Sequence, residues 1–307
     1  MDPKRLPTRP RRLVLRPGVH VLRRSAEELQ VGLHPDRALV LPDRPSVRAL
    51  LATLSSPAAL PPEEYDGRTV ALLTGAGLLV DADLLLPLVP RRPEPPDASA
   101  VGRSDVAALA AGSGEAAGSL LEGRRRASVQ VRACGSPEAR PVADTLETLL
   151  ARAGIAAGAS QRATAAVLVA VGEPAREETD GWMRDGTPHL LLRLTEGHAV
   201  VGPFVRPGET ACLRCLDAHH TDVDPAWPLL VAQYAAAVAR EREDSVPEPV
   251  DTVLATLAVA WAAREMVSHA EGREPATASG TIRLDPCLTE LETQTWPRHP
   301  ACGCSWA

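Results

Sequence analysis

Six cysteines are spread through the 307 residues, and four of them fall into two short-spaced pairs. One pair is Cys212-Leu213-Arg214-Cys215 and the other is Cys302-Gly303-Cys304, at the far end of the sequence. A thiolate pair at such spacing supplies two adjacent corners of a tetrahedron, so two pairs together can complete a tetrathiolate zinc site. Gly208 and Gly303 suit the tight turns that would aim the sulfurs inward. Four sulfurs leave no open position for water or substrate, so zinc held this way is structural and pins the C-terminal segment to the middle of the chain. The same residues admit other chemistry: disulfides, a redox-active C-x-x-C, or four ordinary buried thiols. Redox motifs do not usually carry a second pair, and no strand-to-helix context leads into Cys212. His219 and His220 raise a catalytic dyad or a mixed zinc site, against plain surface histidines at a helix start. Cys134 and Cys287 stand alone in apolar, strand-like runs and are read as core residues.

Composition bounds the rest. The length allows two domains, each with its own core. Hydrophobic residues make 45% but aromatics only 3%, and Phe204, just ahead of the first cysteine pair, is the single phenylalanine, so Leu, Val and Ala must fill the cores. No 18-residue apolar run is present and the N-terminus lacks the apolar core of a signal peptide, which points to a non-membrane protein in the reducing cytoplasm. The net charge of −6 argues against general nucleic-acid binding. Residues 1–24 run the other way, with eight Lys or Arg against Asp2 alone: a solvated tail, or an attractor for an acidic partner. The acidic run of Glu241, Glu243, Asp244, Glu248 and Asp251 reads as a solvated loop.

These residues need elements to position them. Alternation of apolar and polar residues marks strands at Arg12–Leu15, Val19–Leu22, Leu29–Leu33 and Ala38–Leu41. Val47, Leu50, Leu51 and Leu54 mark a helix after Pro45, Pro62–Tyr65 a second, and Val70, Leu72 and Leu73 a third. Leu78-Leu79-Val80 closes a winged-helix-like module over residues 12–83. Pro87, Pro90, Pro93, Pro95 and Pro96 then open a linker and helical connector, 84–127. From 128 to 307 the pattern is α/β: strand 128–135, helix 137–153, and the wholly apolar Ala165–Val171, which suits a strand buried on both faces of a parallel sheet. Strands at 189–194 and 198–201, helices near 227–242 and 251–270, and a terminal hairpin follow, giving an open sheet with an antiparallel extension.

Leu15-Arg16-Pro17-Gly18-Val19 and the order of elements around it resemble the PqqD-like recognition element that binds leader peptides of ribosomally made, post-translationally modified peptides. The α/β half with its two cysteine pairs resembles the ThiF family of ubiquitin-activating-enzyme-like adenylyltransferases, a Rossmann-like fold. Within that family, Gly202–Gly208, the Cys212–Cys215 knuckle, His219, Asp224-Pro225-Ala226-Trp227-Pro228 and His299-Pro300-Ala301-Cys302-Gly303-Cys304 resemble the ThiF-like partner proteins of YcaO cyclodehydratases. The resemblance covers nearly the whole chain. It implies capture of a precursor's leader peptide and its presentation to a YcaO-type enzyme for azoline or azole formation, and a homodimer through the α/β domain. It also implies strand addition along Ala38, Leu39, Val40 and Leu41, with apolar leader side chains laid near Val70 and Leu73.

The adenylating relatives need a glycine-rich turn after the first strand, an acidic residue for ribose, and an aspartate near Mg·ATP. Here the turn is Gly135-Ser136-Pro137-Glu138-Ala139-Arg140, the ribose position falls in Ala156–Ser160, and Gly172-Glu173-Pro174 follows the next strand. ATP is therefore not expected as a cofactor, and no catalytic residue is assigned. The rival readings are an adenylating enzyme with a degenerate site, a DNA-reading winged helix using Arg44 and Arg48, and an orphan scaffold or regulator.

Overall fold

The computed structural model describes residues 12–56, 67–89, 101–159, 163–240 and 246–306. The helix expected over Pro62–Tyr65, the prolines from Pro90 to Pro96, the basic residues up to Arg11, and Glu241, Glu243 and Asp244 lie outside them. The chain divides into two units: Met1–Pro96 with Val101–Leu121, and Asp97–Ala100 with Glu122–Ala307.

In the first unit, strands β1 (Leu13–Leu15), β2 (Val21–Arg23), β3 (Glu28–Val31) and β4 (Leu39–Pro42) precede helices α1 (Pro45–Ser55) and α2 (Gly67–Gly75). Strand β5 (Leu79–Asp81) and the short α3 (Ala82–Leu85) follow. Strands β2, β3 and β4 form one antiparallel sheet, and β1 pairs separately with β5. Proline opens α1, where its missing donor is not needed. The buried side chains of α1, Val47, Leu50, Leu51 and Leu54, recur at three- and four-residue spacing. They pack against Leu29, Val31, Leu41, Leu73 and Leu78. A second cluster brings Val14, Val80 and Leu85 together with Val106, Leu109 and Ala110 of α4 (Arg103–Ser113) and Ala117 and Leu121 of α5 (Ala117–Arg126). The stretch after the proline-rich segment therefore carries part of this unit's core.

The second unit holds β6 (Ser128–Gly135), α6 (Ala139–Arg152), β7 (Ala156–Gly158), β8 (Ala165–Val171), α7 (Asp180–Arg184), β9 (His189–Thr195) and β10 (His198–Val205). Helices α8 (Leu213–Val223), α9 (Trp227–Val238) and α10 (Thr252–Ala270) and strands β11 (Gly280–Leu284) and β12 (Leu291–Thr295) complete it. Together these strands make one mixed sheet in the order β12-β11-β10-β9-β8-β6-β7. Strands β6 to β9 are parallel, and β10, β11 and β12 add antiparallel to the far side. All of β8 is buried, as its unbroken apolar run requires of a central parallel strand. Val167, Val169 and Val171 share a core with Leu146 and Leu150 of α6 and with Ala258, Val259 and Ala262 of α10, while Ala166 and Leu168 meet Trp182. Asp251 caps α10, its carboxylate accepting the Leu254 amide at 2.8 Å.

The two lone cysteines part company. Cys134 is half-buried beside Leu168 and Trp182, and burial, with the Glu178 charge, pushes its thiol up to about 12. Cys287 is not a core residue: the buried run ends at Leu284, and Cys287 sits exposed in the β11–β12 loop, its amide donating to Asp285 at 3.1 Å. Among the described residues no helix is long and apolar enough to cross a membrane.

Candidate functional site

Three places carry the residues singled out by the sequence. In the first, Cys212 precedes α8 as its N-cap and Cys215 lies in its first turn, with the Cys215 amide donating to the Cys212 carbonyl at 3.0 Å. Gly208, with φ of +79°, turns the chain ahead of them; Gly303 needs no such freedom, because it sits in a 3-10 turn with no positive φ. The four sulfurs come together, Cys212 to Cys215 at 3.8 Å, Cys212 to Cys302 at 3.7 Å and Cys215 to Cys304 at 3.4 Å. These separations are far beyond a sulfur–sulfur bond of about 2 Å, so the set is not a pair of disulfides. All four lie within 4.8 Å of one another and can hold a metal ion. Leu191, Val205, Leu213, Leu216 and Trp296 wrap the group in apolar side chains. The thiols share protons unequally: the Cys212 hydrogen bond lowers Cys215 to about 4, while the same bond and burial raise Cys212. Neither His219 nor His220 joins the cysteines; both are part-exposed on α8, His220 tilted against Trp227 at 4.4 Å between ring centroids.

The second place is the crevice beyond the carboxyl ends of β6 and β8, where strand order reverses and open α/β sheets bind ligands. Gly135 has φ of +84°, and a Cβ there would meet the Val171 carbonyl oxygen at 2.1 Å, so the glycine serves close backbone packing. The Ser136 amide donates to that same oxygen at 3.2 Å, and the Ser136 hydroxyl is bonded to the Glu138 carboxylate at the head of α6. A Cβ on Gly172 would meet Val238 Cγ1 at 2.7 Å, so α9 closes over this turn. Both Glu173 oxygens are taken, by Arg176 at 2.9 Å and Arg193 at 2.8 Å. Arg176 in turn grips Asp217 with two bonds of 2.7 Å, and Trp227 Nε1 donates to Asp217 at 2.9 Å. Burial opposes both charges of that pair, but the mutual bonds prevail and hold the Asp217 carboxyl below, and the Arg176 guanidinium above, its ordinary range. The sequence reading missed Arg176, Arg193 and Asp217; only the Glu173–Arg176 spacing of three offered a signal.

The third place is the edge strand β4, which pairs with β3 and, among the described residues, with no other strand. The Gly32 amide donates to His20 and the Arg24 amide to Glu28, so even-numbered residues of β3 turn their backbone groups toward β2. Leu29 and Val31 consequently face β4, opposite Leu41 and Leu39, a set that Asp43 extends by donating to Glu27 at 2.7 Å. Val40 therefore directs its N–H and C=O outward. It is the one outward donor here, since the Ala38 amide is bonded to His34 at 2.8 Å and Pro42 has none. The Val40 side chain is 41% exposed, whereas Leu41 and Leu73 are core residues at 3% and 0%, and Val70 is partly buried against them. Leu72, 46% exposed, is the large apolar side chain that α2 offers to solvent.

No protein-family model matches the sequence, and no curated relative does. Solved structures match in fold. The heterocyclase TruD aligns over 96% of this chain and 43% of its own, at 18% identity and TM-score 0.68. E. coli MccB with ATP aligns over 95% and 99%, at 13% identity and TM-score 0.58, and MccB with MccA over 96% and 99%, at 12% and 0.56. The chain thus spans about two fifths of the heterocyclase and nearly all of MccB, and the fold it shares with them is the mixed α/β architecture described above.

Proposed function

We propose that this chain captures the leader segment of a ribosomally made precursor peptide and presents its core to a separate YcaO-type cyclodehydratase for azoline or azole formation. The observation that carries the reading is the outward-facing Val40 N–H and C=O on a sheet edge. An extended peptide added there gains backbone hydrogen bonds and can lay apolar side chains near Val70 and Leu72. The neighbours in fold, a heterocyclase and a protein seen with MccA, support a role in peptide modification. In this reading residues 12–83 form the PqqD-like element, and the second unit is a ThiF-like scaffold. A DNA-reading winged helix is less well served, because Arg48 is already bonded to Asp43.

The metal of the cysteine centre is, in this reading, zinc. Sulfurs about 2.3 Å from zinc at tetrahedral corners lie roughly 3.8 Å apart, and the observed 3.4–3.8 Å matches. With four thiolates it would be structural.

The match to MccB with ATP favours one rival, an adenylating enzyme. Three features oppose it. Glu173 is paired with two arginines, whose positive charges disfavour Mg²⁺ beside it, Val238 packs against the Gly172 turn, and the Glu138 carboxylate stands where a phosphate would approach α6. One pair of titrations tests the choice: labelled precursor peptides encoded beside this gene, and Mg·ATP, each against the full chain. Peptide binding at micromolar concentration or tighter with no ATP binding is expected; micromolar ATP binding and no peptide binding would reverse the assignment.

A further inference from the structure

The second cysteine pair lies on the segment after β12, and something must hold that segment against α8. Trp296 anchors its start, with its amide on the Ser279 carbonyl at 2.7 Å and Nε1 on Thr281 Oγ1 at 3.0 Å. Beyond it, Cys215, His219 and Asp222 lie four and three residues apart, one stripe of α8. His219 Nε2 donates to the Pro297 carbonyl at 2.8 Å, and its ring meets His299 edge-on at 4.7 Å. His299 is buried, with both ring nitrogens and its carbonyl engaged. Its Nε2 is 2.9 Å from Asp222 Oδ2, its Nδ1 accepts the Ala301 amide at 3.1 Å, and its carbonyl accepts the Cys302 amide at 3.0 Å.

His219, Asp222 and His299 together resemble a second metal site, their ligand atoms lying within 4.8 Å. The hydrogen bonds argue otherwise. Because Nδ1 of His299 accepts the Ala301 N–H, the ring proton sits on Nε2 and points at Asp222. His219 Nε2 likewise faces a carbonyl and must carry its proton. The Nε2 of each ring is thus committed to a protein acceptor through its own proton. We propose instead that His299 is a positioning residue for the cysteine centre, with Asp222 and His219 holding it: a clasp that sets Cys302 and Cys304 against the pair on α8. Outer-shell groups of this kind orient ligands and tighten metal binding.

This inference rests on the metal reading above, and the test separates the two. Zinc affinity of the full chain is measured by competition with a chromogenic chelator for wild type, His299→Ala, His299→Gln and Asp222→Ala, with thermal unfolding of each in excess chelator alongside. The wild type should bind one equivalent, and His299→Ala should bind it about 10- to 100-fold more weakly. Asp222→Ala should fall in the same direction by less, and His299→Gln, whose amide still reaches Asp222, should recover much of the loss. The Asp222 side chain is 66% exposed, so that variant probes the clasp without threatening the fold. With cobalt in place of zinc, the sulfur-to-metal absorption should keep its position in every variant, because no histidine is a ligand. Unchanged affinity in His299→Ala and Asp222→Ala, with metal-free stability lowered alone, would overturn the clasp and leave the metal centre standing. A shifted cobalt spectrum in His299→Ala, or a second zinc equivalent lost with it, would make His299 a ligand and also overturn the clasp. A wild-type chain that binds no zinc would remove the metal reading itself, and the clasp with it.

Discussion

His189 shows how one residue sets a pH limit. It is fully buried at the start of β9, with Nδ1 2.9 Å from the Thr187 carbonyl and Nε2 without a hydrogen-bond partner. Burial pushes its pKa down to about 4, against a smaller upward pull from the Thr187 bond, so the folded protein keeps it neutral. In the unfolded chain it titrates near 6.5. Between those values the unfolded state binds the extra proton. Stability is therefore full above about pH 6.5 and declines as pH falls toward 4, by about 3 kcal/mol from this residue. The thermal midpoint of His189→Gln should vary less between pH 7 and 4.5 than that of the wild type. Parallel curves would mean that His189 does not report the difference. At this scale the cysteines were legible because metal-binding geometry is written in short spacings. The Arg176–Asp217 bond was not, because the partners are 41 residues apart and nothing local records it. Cys287 misled for the opposite reason: its neighbours are apolar, but the strand had already ended at Leu284.

Among elements, those with a strong period could be read directly. The unbroken run of β8 and the three- and four-residue spacing of Val142, Leu146 and Leu150 in α6 each specify what buries them. Helix α8 could not be read so: it buries only Leu213, Cys215 and Leu216, and its other residues are mostly polar. What fixes its first turn is the cysteine centre, so α8 and the segment after β12 should depend on metal where α6 and α10 do not. Elemental analysis should find about one zinc per wild-type chain and little in Cys302→Ser. Amide exchange in Cys302→Ser should speed up in α8 and over 296–306, while α10, cased in the apolar core around Ala258 and Met266, keeps its protection. Zinc retained by Cys302→Ser, or exchange rising evenly across the unit, would contradict the dependence.

At the scale of the molecule, the mixed α/β sheet was legible from strand order and apolar runs, whereas the path of the chain after Val101 was not. Val106, Leu109 and Leu121 cover Val14 and Val80 of the first unit, a long-range match that a run of prolines in the sequence conceals. Val238 of α9 packs against the Gly172 turn beside the switch-point crevice, and among the described residues β4 is a sheet edge whose Val40 N–H points outward. The proposed function turns on peptide capture at that edge. The binding of a labelled precursor peptide to full-length wild type, Val40→Pro and Val40→Ile tests it most directly, with helical circular dichroism recorded for each. Val40→Pro removes the outward donor without touching the bonds of Leu39 and Leu41 to β3. It should weaken binding roughly tenfold or more at unchanged helix content, and Val40→Ile should bind like the wild type. Equal binding by Val40→Pro would contradict capture at this edge.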